Sequence, residues 1–410
     1  MAVWWNGLAL VVLLLARAYP SLSSTKRQGA TGGTSGSVDP AQILGAVLTK
    51  DGQSASNQLH VAALVNELTQ HDGTKGTPGV PRDPQAGAHL RLVSRIPCGA
   101  TEGLDAIEID LNHLLCQVAI EDEVMVAITD RNILSTWIPP FVEQSKRAQV
   151  DNLIIVALDD ESKTAIEGLG VPCWRFNKEA LVSEEYKKIH GANGKFAVSG
   201  MKFRILRYFL KLGVSVLLTD VDVAVLQNPF NFLYRDSDIE VMSDGFDDDT
   251  AYGKMEGYHD PSMGWAQWAY KHEVFASNSG LFYARSTHNT IAAMDEVTRR
   301  LEASKGWDQN VFNEVIWLPS RKDYRSPQTS VRVMDIHLFM NTKTLFKKIR
   351  RQRKMCSHTP VMVHINYHPD KFPRMKAVVD RYIFKKMDAL DKFTDGSEPD
   401  GTDVKTCLCC

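Results

Sequence analysis

The residues best suited to chemistry lie in the stretch 214–230, VSVLLTDVDVAVLQNPF. An apolar, strand-like run leads straight into Asp220-Val221-Asp222. In extended backbone, side chains two residues apart face the same side, so both carboxylates can converge on one cation. Hard divalent ions such as Mg2+ or Mn2+ take few protein carboxylates and keep positions for phosphate oxygens. An ion bridging a diphosphate would offset charge building on a leaving nucleotide.

Other polar groups follow strand-like or helix-like runs. In 195–212, KFAVSGMKFRILRYFLKL, Val198, Met201, Ile205, Phe209 and Leu212 recur at helical spacing and should face a core. Lys202 and Arg204 fall outside that set and could supply a cation to a diphosphate, or simply form a solvated flank. The run SDGFDDDT at 243–250 is an exposed or ion-binding loop, with Asp244 ending a strand-like segment at 239–242. Asn278 in ASNSGLFYAR offers both donor and acceptor to a sugar hydroxyl, while the adjacent glycine permits close backbone approach. A structural turn fits the same residues. Asp308-Gln309 opens an amphipathic segment, where Asp308 is either a helix cap or a carboxylate close to reacting atoms. In PVMVHINYHPDK at 360–371, a buried strand delivers His364, Asn366 and His368 on one face with Lys371 close behind. Imidazole suits Mn2+ better than Mg2+, so His364 could be a third ligand.

Elements able to position these groups alternate along the chain. Residues 123–129, 153–158, 171–176 and 214–218 read as buried strands, and 141–151 as a helix between the first two. β-Branched runs separated by helix-length segments imply a mostly parallel central sheet flanked by helices, an α/β fold. Ligands of such sheets gather beyond the carboxyl ends of the strands, where the strand order switches. The net charge is −2, with 47 Lys plus Arg against 49 Asp plus Glu, so no basic field draws nucleic acid. Seven cysteines are too few for a disulfide-built scaffold, although one or two bridges among Cys98, Cys116, Cys173 and Cys356 fit an oxidising lumen.

Residues 1–18 contain a short apolar run and an Ala-Arg-Ala pattern, suiting a cleaved signal peptide or a marginal signal-anchor. Residues 19–100 are rich in small and polar residues and are expected to form a flexible stem. The folded domain is expected over 101–392, with two short helical patterns near 41–48 and 58–68 in the stem and a disordered tail over 393–410 ending CLCC.

The ordered set TDVDV, VMSDGFDD with TAYG, PSMGWA, NSGLFY, WDQNVFNE, RVMDIHLFMN and VHINYHPDK resembles the plant arabinosyltransferases of glycosyltransferase family 77, the reduced-residual-arabinose type. That resemblance spans about residues 110–390. It implies a GT-A-type nucleotide-sugar transferase, retention of anomeric configuration, and Golgi residence as a single-pass type II membrane protein. It also implies transfer of L-arabinofuranose from UDP-arabinofuranose to hydroxyproline-linked arabinose of extensin-like glycoproteins. By position, Asp220, Asp222 and His364 would hold the metal, Lys371 would meet the diphosphate, and Asn278, Asp308 and Gln309 would line the sugar pocket. The short apolar N-terminus and the Cys407, Cys409, Cys410 tail depart from the family pattern. Xylose or galactose could replace arabinose within this chemistry. A dehalogenase-type phosphatase also places two aspartates after a buried strand, but Ala224 stands where that motif carries Thr or Val. A non-catalytic carbohydrate-binding protein is the third class.

Overall fold

The structure is a computed structural model that describes residues 79–177, 195–256, 271–273, 276–304, 306–352 and 355–393. The N-terminal apolar segment, most of the stem with its two short helical patterns, the PSMGWA motif and the cysteine-rich tail lie outside the described residues. No helix among the described residues is long and apolar enough to cross a membrane.

Strands β1 (Glu123–Thr129), β2 (Leu153–Ala157), β3 (Cys173–Arg175), β4 (Ser215–Thr219), β6 (Ile239–Ser243), β9 (Ser277–Ala284) and β10 (Val331–Val333) form a seven-stranded sheet in the order β10-β6-β9-β4-β1-β2-β3. Every neighbouring pair runs parallel except those made by β9, which is antiparallel to both β4 and β6. A smaller sheet orders β11 (Phe339–Asn341), β12 (Met362–His364) and β5 (Val223–Val225). β7 (Lys254–Glu256) and β8 (Lys271–Glu273) pair as an antiparallel ribbon.

Strand alternation sends side chains to two different layers. Val124 and Val126 of β1 join one core with Leu111 and Leu115 of α1 (Ala106–Val118) and with Phe203, Leu206 and Phe209 of α4 (Lys195–Lys211). Met125 and Ala127 pack in a second core with Ile138 and Phe141 of α2 (Leu134–Arg147) and Ile166 of α3 (Asp160–Gly168). A third core covers the small sheet with Met375, Val378 and Tyr382 of α8 (Lys371–Tyr382). Helices α5 (Asp248–Tyr252), α6 (His288–Ala303) and α7 (Asp308–Trp317) complete the frame. This is the mostly parallel, helix-flanked α/β fold expected from the sequence.

Two boundaries differ from the sequence reading. Helix α2 begins at Leu134 rather than at 141, and it contains Pro139 and Pro140. Proline normally interrupts a helix interior, but here Ile138, Pro139, Pro140 and Phe141 are all buried. Packing of that apolar face outweighs the lost backbone donors. Residues from Gly79 onward, expected in the stem, are tied to the domain: Val80 N–H donates to Asn231 O, Val93 N–H to Ser286 O and Ile96 N–H to Leu212 O. The polar composition of that stretch hides a chain secured by backbone bonds, by the Arg95 side chain on Asn112 and by Ile96 packed on the core. Cys98 bridges Cys116, tying the segment to α1, and Cys356 is also disulfide-bonded. Burial pushes the free thiol of Cys173 up to about 12.

At the amino end of β1, Glu123 is held by a two-pronged ion pair with Arg235 (2.7 and 2.9 Å) and by the Tyr283 hydroxyl (2.6 Å), all buried. Removing one partner strands the other charge away from water. Glu123→Ala should cost about 3–5 kcal/mol in urea unfolding, while Tyr283→Phe should cost about 1.5–3 kcal/mol.

Candidate active site

Most of the polar groups of interest meet beyond the carboxyl ends of β4 and β6; Arg204 and His368 do not. The reversed direction of β9 explains why. Thr219 at the end of β4 pairs with Leu281, and Ser243 at the end of β6 pairs with Ser277, so the start of β9 lies between those two strand ends. Asp220, Asp244 and the segment Asn278-Ser279-Gly280 therefore share one edge. This is the switch in strand order where ligands of such sheets settle.

Asp220 and Asp222 converge, but not through the alternation of a continuous strand. β4 ends at Thr219, the chain turns at Val221, and β5 begins at Val223 in the smaller sheet. β12 pairs antiparallel with β5, setting His364 opposite Val223. The His364 ring Nε2 stands 3.3 Å from Asp222 Oδ1 and 4.0 Å from Asp220 Oδ2. One ligand atom from each of these three residues lies within 4.8 Å of the others. The Asp220 side chain is 50% exposed against 15% for Asp222 and 5% for His364, so the cluster opens toward solvent at Asp220. Asp222 is not a solvated bystander, and Asp220 does more than cap a turn.

The backbone is fitted closely around this cluster. Asp220 N–H donates to Gly280 O at 2.7 Å. A Cβ at Gly280 would lie 2.3 Å from Asp220 Oδ2 and 2.9 Å from His364 Cε1, so any larger residue would collide with both.

Charge is distributed unevenly. Burial raises the Asp220 carboxyl, and Asp222 beside it adds to the rise; Lys202 opposes both without cancelling them. Burial also pushes Asp222 upward, but the His364 ring and the Lys371 ammonium, at 2.5 Å from Oδ2, overcome it and hold the carboxyl well below the usual range. Burial disfavours a charged His364, and the facing carboxylates of Asp222 and Asp220 reverse that, raising the ring above its ordinary value. Its other nitrogen, Nδ1, is buried without a partner among the described residues. Lys371 occupies one oxygen of Asp222 and leaves Oδ1 turned to the ring. Two carboxylate oxygens and one imidazole nitrogen fit a divalent cation such as Mn2+.

Lys202 is not the diphosphate cation expected from the sequence. Its Nζ is committed to Asp308 Oδ2 at 2.6 Å and accepted by Ser279 Oγ at 3.0 Å, in a buried group. Burial pushes Asp308 upward, but Lys202 outweighs it and keeps the carboxyl below its ordinary value. Arg204 is a second correction: it pairs with Glu302 of α6 at 3.0 Å. Two helical residues stand about 200° apart around the axis, which parts Arg204 from the side Lys202 occupies. Asp308 does not cap α7, because Trp307 holds the cap position and Asp308 turns inward.

Asn278 is buried and donates to Asp244 Oδ1 at 2.7 Å, and Gln309 donates to Asp244 Oδ2 at 2.8 Å. Asp244 and Ser279 therefore belong to the site although the sequence did not place them there. Asp244 had one signal, its position directly after a buried strand. The other aspartates of its run serve locally: Asp247 caps α5 and pairs with Lys348 at 3.1 Å. His368 departs from the expected common face with His364. β12 already ends at His364, Tyr367 then takes φ 64°, and both His368 nitrogens are buried beside Phe346 without partners among the described residues. Burial lowers that ring to about 4.

A family model of nucleotide-diphospho-sugar transferases matches residues 148–376. Arabinosyltransferase RRA2 of Arabidopsis thaliana is 45% identical over 288 residues, covering 70% of this chain and 66% of the relative. Arabinosyltransferase RRA1 of the same plant is 41% identical over 287 residues, 70% of either chain. The chain thus spans about two thirds of the length of these relatives. Among solved structures, the galactosyltransferase LgtC with donor and acceptor sugar analogues overlaps at a TM-score of 0.38 and 15% identity, covering 62% of this chain and 94% of that one. The matched stretch includes Asp220, Asp222, Asn278, Asp308, His364 and Lys371. The chain belongs to the nucleotide-diphospho-sugar transferase family, in the company of the reduced-residual-arabinose arabinosyltransferases.

Proposed function

We propose that the protein is a retaining, metal-dependent transferase that moves L-arabinofuranose from UDP-arabinofuranose onto hydroxyproline-linked arabinose of an extensin-like glycoprotein. The observation that carries this reading is the convergence of Asp220, Asp222 and His364 beside the buried amides of Asn278 and Gln309 at the switch edge. Identity above 40% to two arabinosyltransferases supports the donor sugar. Family membership and this cluster together leave no support for the phosphatase reading.

Asp220, Asp222 and His364 would hold Mn2+ or Mg2+, which would supply positive charge to a leaving diphosphate. Lys371 turns its ammonium toward the same region and shares the diphosphate charge with that site. Asp308, held below its ordinary value by Lys202, and Gln309 lie beside Ser279 at the same edge and would line the sugar site. Asn278 narrows that pocket from β9. The Cys98–Cys116 bridge agrees with an oxidising compartment. We place the protein in the Golgi lumen, with residues 1–18 as its membrane anchor or cleaved signal.

The purified protein should release UDP from UDP-arabinofuranose with Mn2+ and a hydroxyproline-linked arabinose acceptor, and chelation should stop it. Turnover of UDP-xylose or UDP-galactose alone would overturn the arabinose assignment. Asp222→Ala should remove metal-dependent UDP binding measured by calorimetry; unchanged binding would refute the metal site. Gly280→Ala should weaken that binding about 10–100-fold, as when support for a metal ligand is disturbed, with the protein still folded by circular dichroism.

A further inference from the structure

Asp244 follows β6 and is buried, yet among the described residues no lysine or arginine is paired with it. Its carboxylate instead receives three side-chain amides from three parts of the chain. Asn278 Nδ2 of β9 donates at 2.7 Å and Asn366 Nδ2, after β12, at 3.3 Å, both to Oδ1. Gln309 Nε2 of α7 donates to Oδ2 at 2.8 Å. The backbone carbonyl of Asp244 accepts the Tyr367 hydroxyl at 3.1 Å.

A carboxylate only accepts, so each amide must turn its NH2 group toward Asp244. Chemistry therefore fixes the orientation of all three amides, and their oxygens are directed elsewhere. Asn278 Oδ1 accepts Gly280 N–H at 2.8 Å, and Gln309 Oε1 accepts Ser279 N–H at 3.4 Å. Asn366 Oδ1 accepts the Thr342 hydroxyl at 3.1 Å. The turn containing Asn366 and Tyr367 connects His364 to Lys371. Asp244 consequently joins the segment carrying His364 and Lys371 to the wall formed by Asn278 and Gln309.

We infer that Asp244 is a positioning residue for glycosyl transfer, setting the amide orientation of Asn278 and Gln309 and registering them against the His364–Lys371 turn. This rests on the transferase reading above. Asp244→Asn is nearly isosteric but brings its own NH2 group against three donors, so at least one amide must turn over.

The test has one readout independent of turnover. The side-chain NH2 signals of Asn278, Gln309 and Asn366, assigned by nuclear magnetic resonance, should all shift in folded Asp244→Asn protein. In UDP-sugar turnover, kcat should fall about 100-fold, the scale of a small misplacement in a reacting pocket, with KM for the donor nearly unchanged. Unmoved amide signals, or full kcat in the folded variant, would overturn the inference. Should wild-type protein turn over no UDP-sugar, the transferase reading fails by itself, and the positioning role in transfer fails with it even if the amides shift. If Asp244→Asn does not fold, Asn366→Ala removes one arm only. The Asn278 and Gln309 signals should then move and kcat should fall about tenfold, a fraction of the misplacement penalty; unmoved signals would again be decisive against it.

Discussion

Crowding of like charge governs this site. Asp220, Asp222 and Asp308 approach one another with Lys202, Lys371 and His364 interleaved between them. Two unit charges 4 Å apart interact by about 4 kcal/mol at an effective dielectric of 20, so three carboxylates need close compensation. Lys202 answers Asp308 and Lys371 answers Asp222, leaving Asp220 without a directly bonded lysine or arginine among the described residues. The protein around that carboxyl keeps water from enough of it to raise it, although half of its side chain remains exposed. With His364 counted as neutral, the form in which imidazole ligates a metal, three carboxylates against two lysines leave a deficit of one positive charge. A divalent cation would turn that deficit into an excess of one, which favours an incoming diphosphate. Under the proposed transfer, such an arrangement would suit a metal together with the diphosphate that a nucleotide sugar presents.

The fold supplies this crowding through one reversed strand. A fully parallel sheet would deliver only the residues following its strands to the carboxyl edge. Because β9 runs the other way, its first residues enter the same edge and bring Asn278, Ser279 and Gly280 between the ends of β4 and β6. The chain leaving β4 crosses at once into the small sheet, where β12 places His364 against β5. Metal-holding residues thus come from two sheets, and the turn at Val221 is the junction between them. The absence of a Cβ at Gly280 lets the sheets approach there, since its side-chain direction points at both Asp220 and His364.

The sequence disclosed the elements whose signals are local. β1 was bounded to the residue, and the strands holding Asp220, Asp244 and His364 were visible as short apolar runs with a polar group at the end. Convergence of Asp220 and Asp222 was foreseen for a different reason from the real one, because two-residue alternation cannot reveal that the chain changes sheets between them. Lys202 and Arg204 show the limit of reading cations from a helix. Both were equally basic and equally near the aspartates in sequence, and only the helix's rotation about its packed face decides that one meets Asp308 and the other Glu302. The early start of α2 was hidden by Pro139 and Pro140, whose local cost is outweighed by a buried face that no window of sequence displays.

Lys202 and Asp244 together explain how a polar pocket can be rigid. An aspartate and a lysine at 2.6 Å inside the protein satisfy each other, and Ser279 fixes their geometry by donating to Asp308 while accepting from Lys202. On the neighbouring side, three amides satisfy Asp244 without any cation. Buried polar networks resist rearrangement when every member is paired, since breaking one bond strands a donor or acceptor away from water. Sugars differ from one another chiefly in where hydroxyls stand, and only fixed donors and acceptors can distinguish them. A wall whose amides are locked from behind by a carboxylate keeps its remaining hydrogen-bonding positions constant before any sugar arrives. Under the proposed transfer, selectivity between a pentose and a hexose would rest on this preset geometry rather than on adjustment during binding.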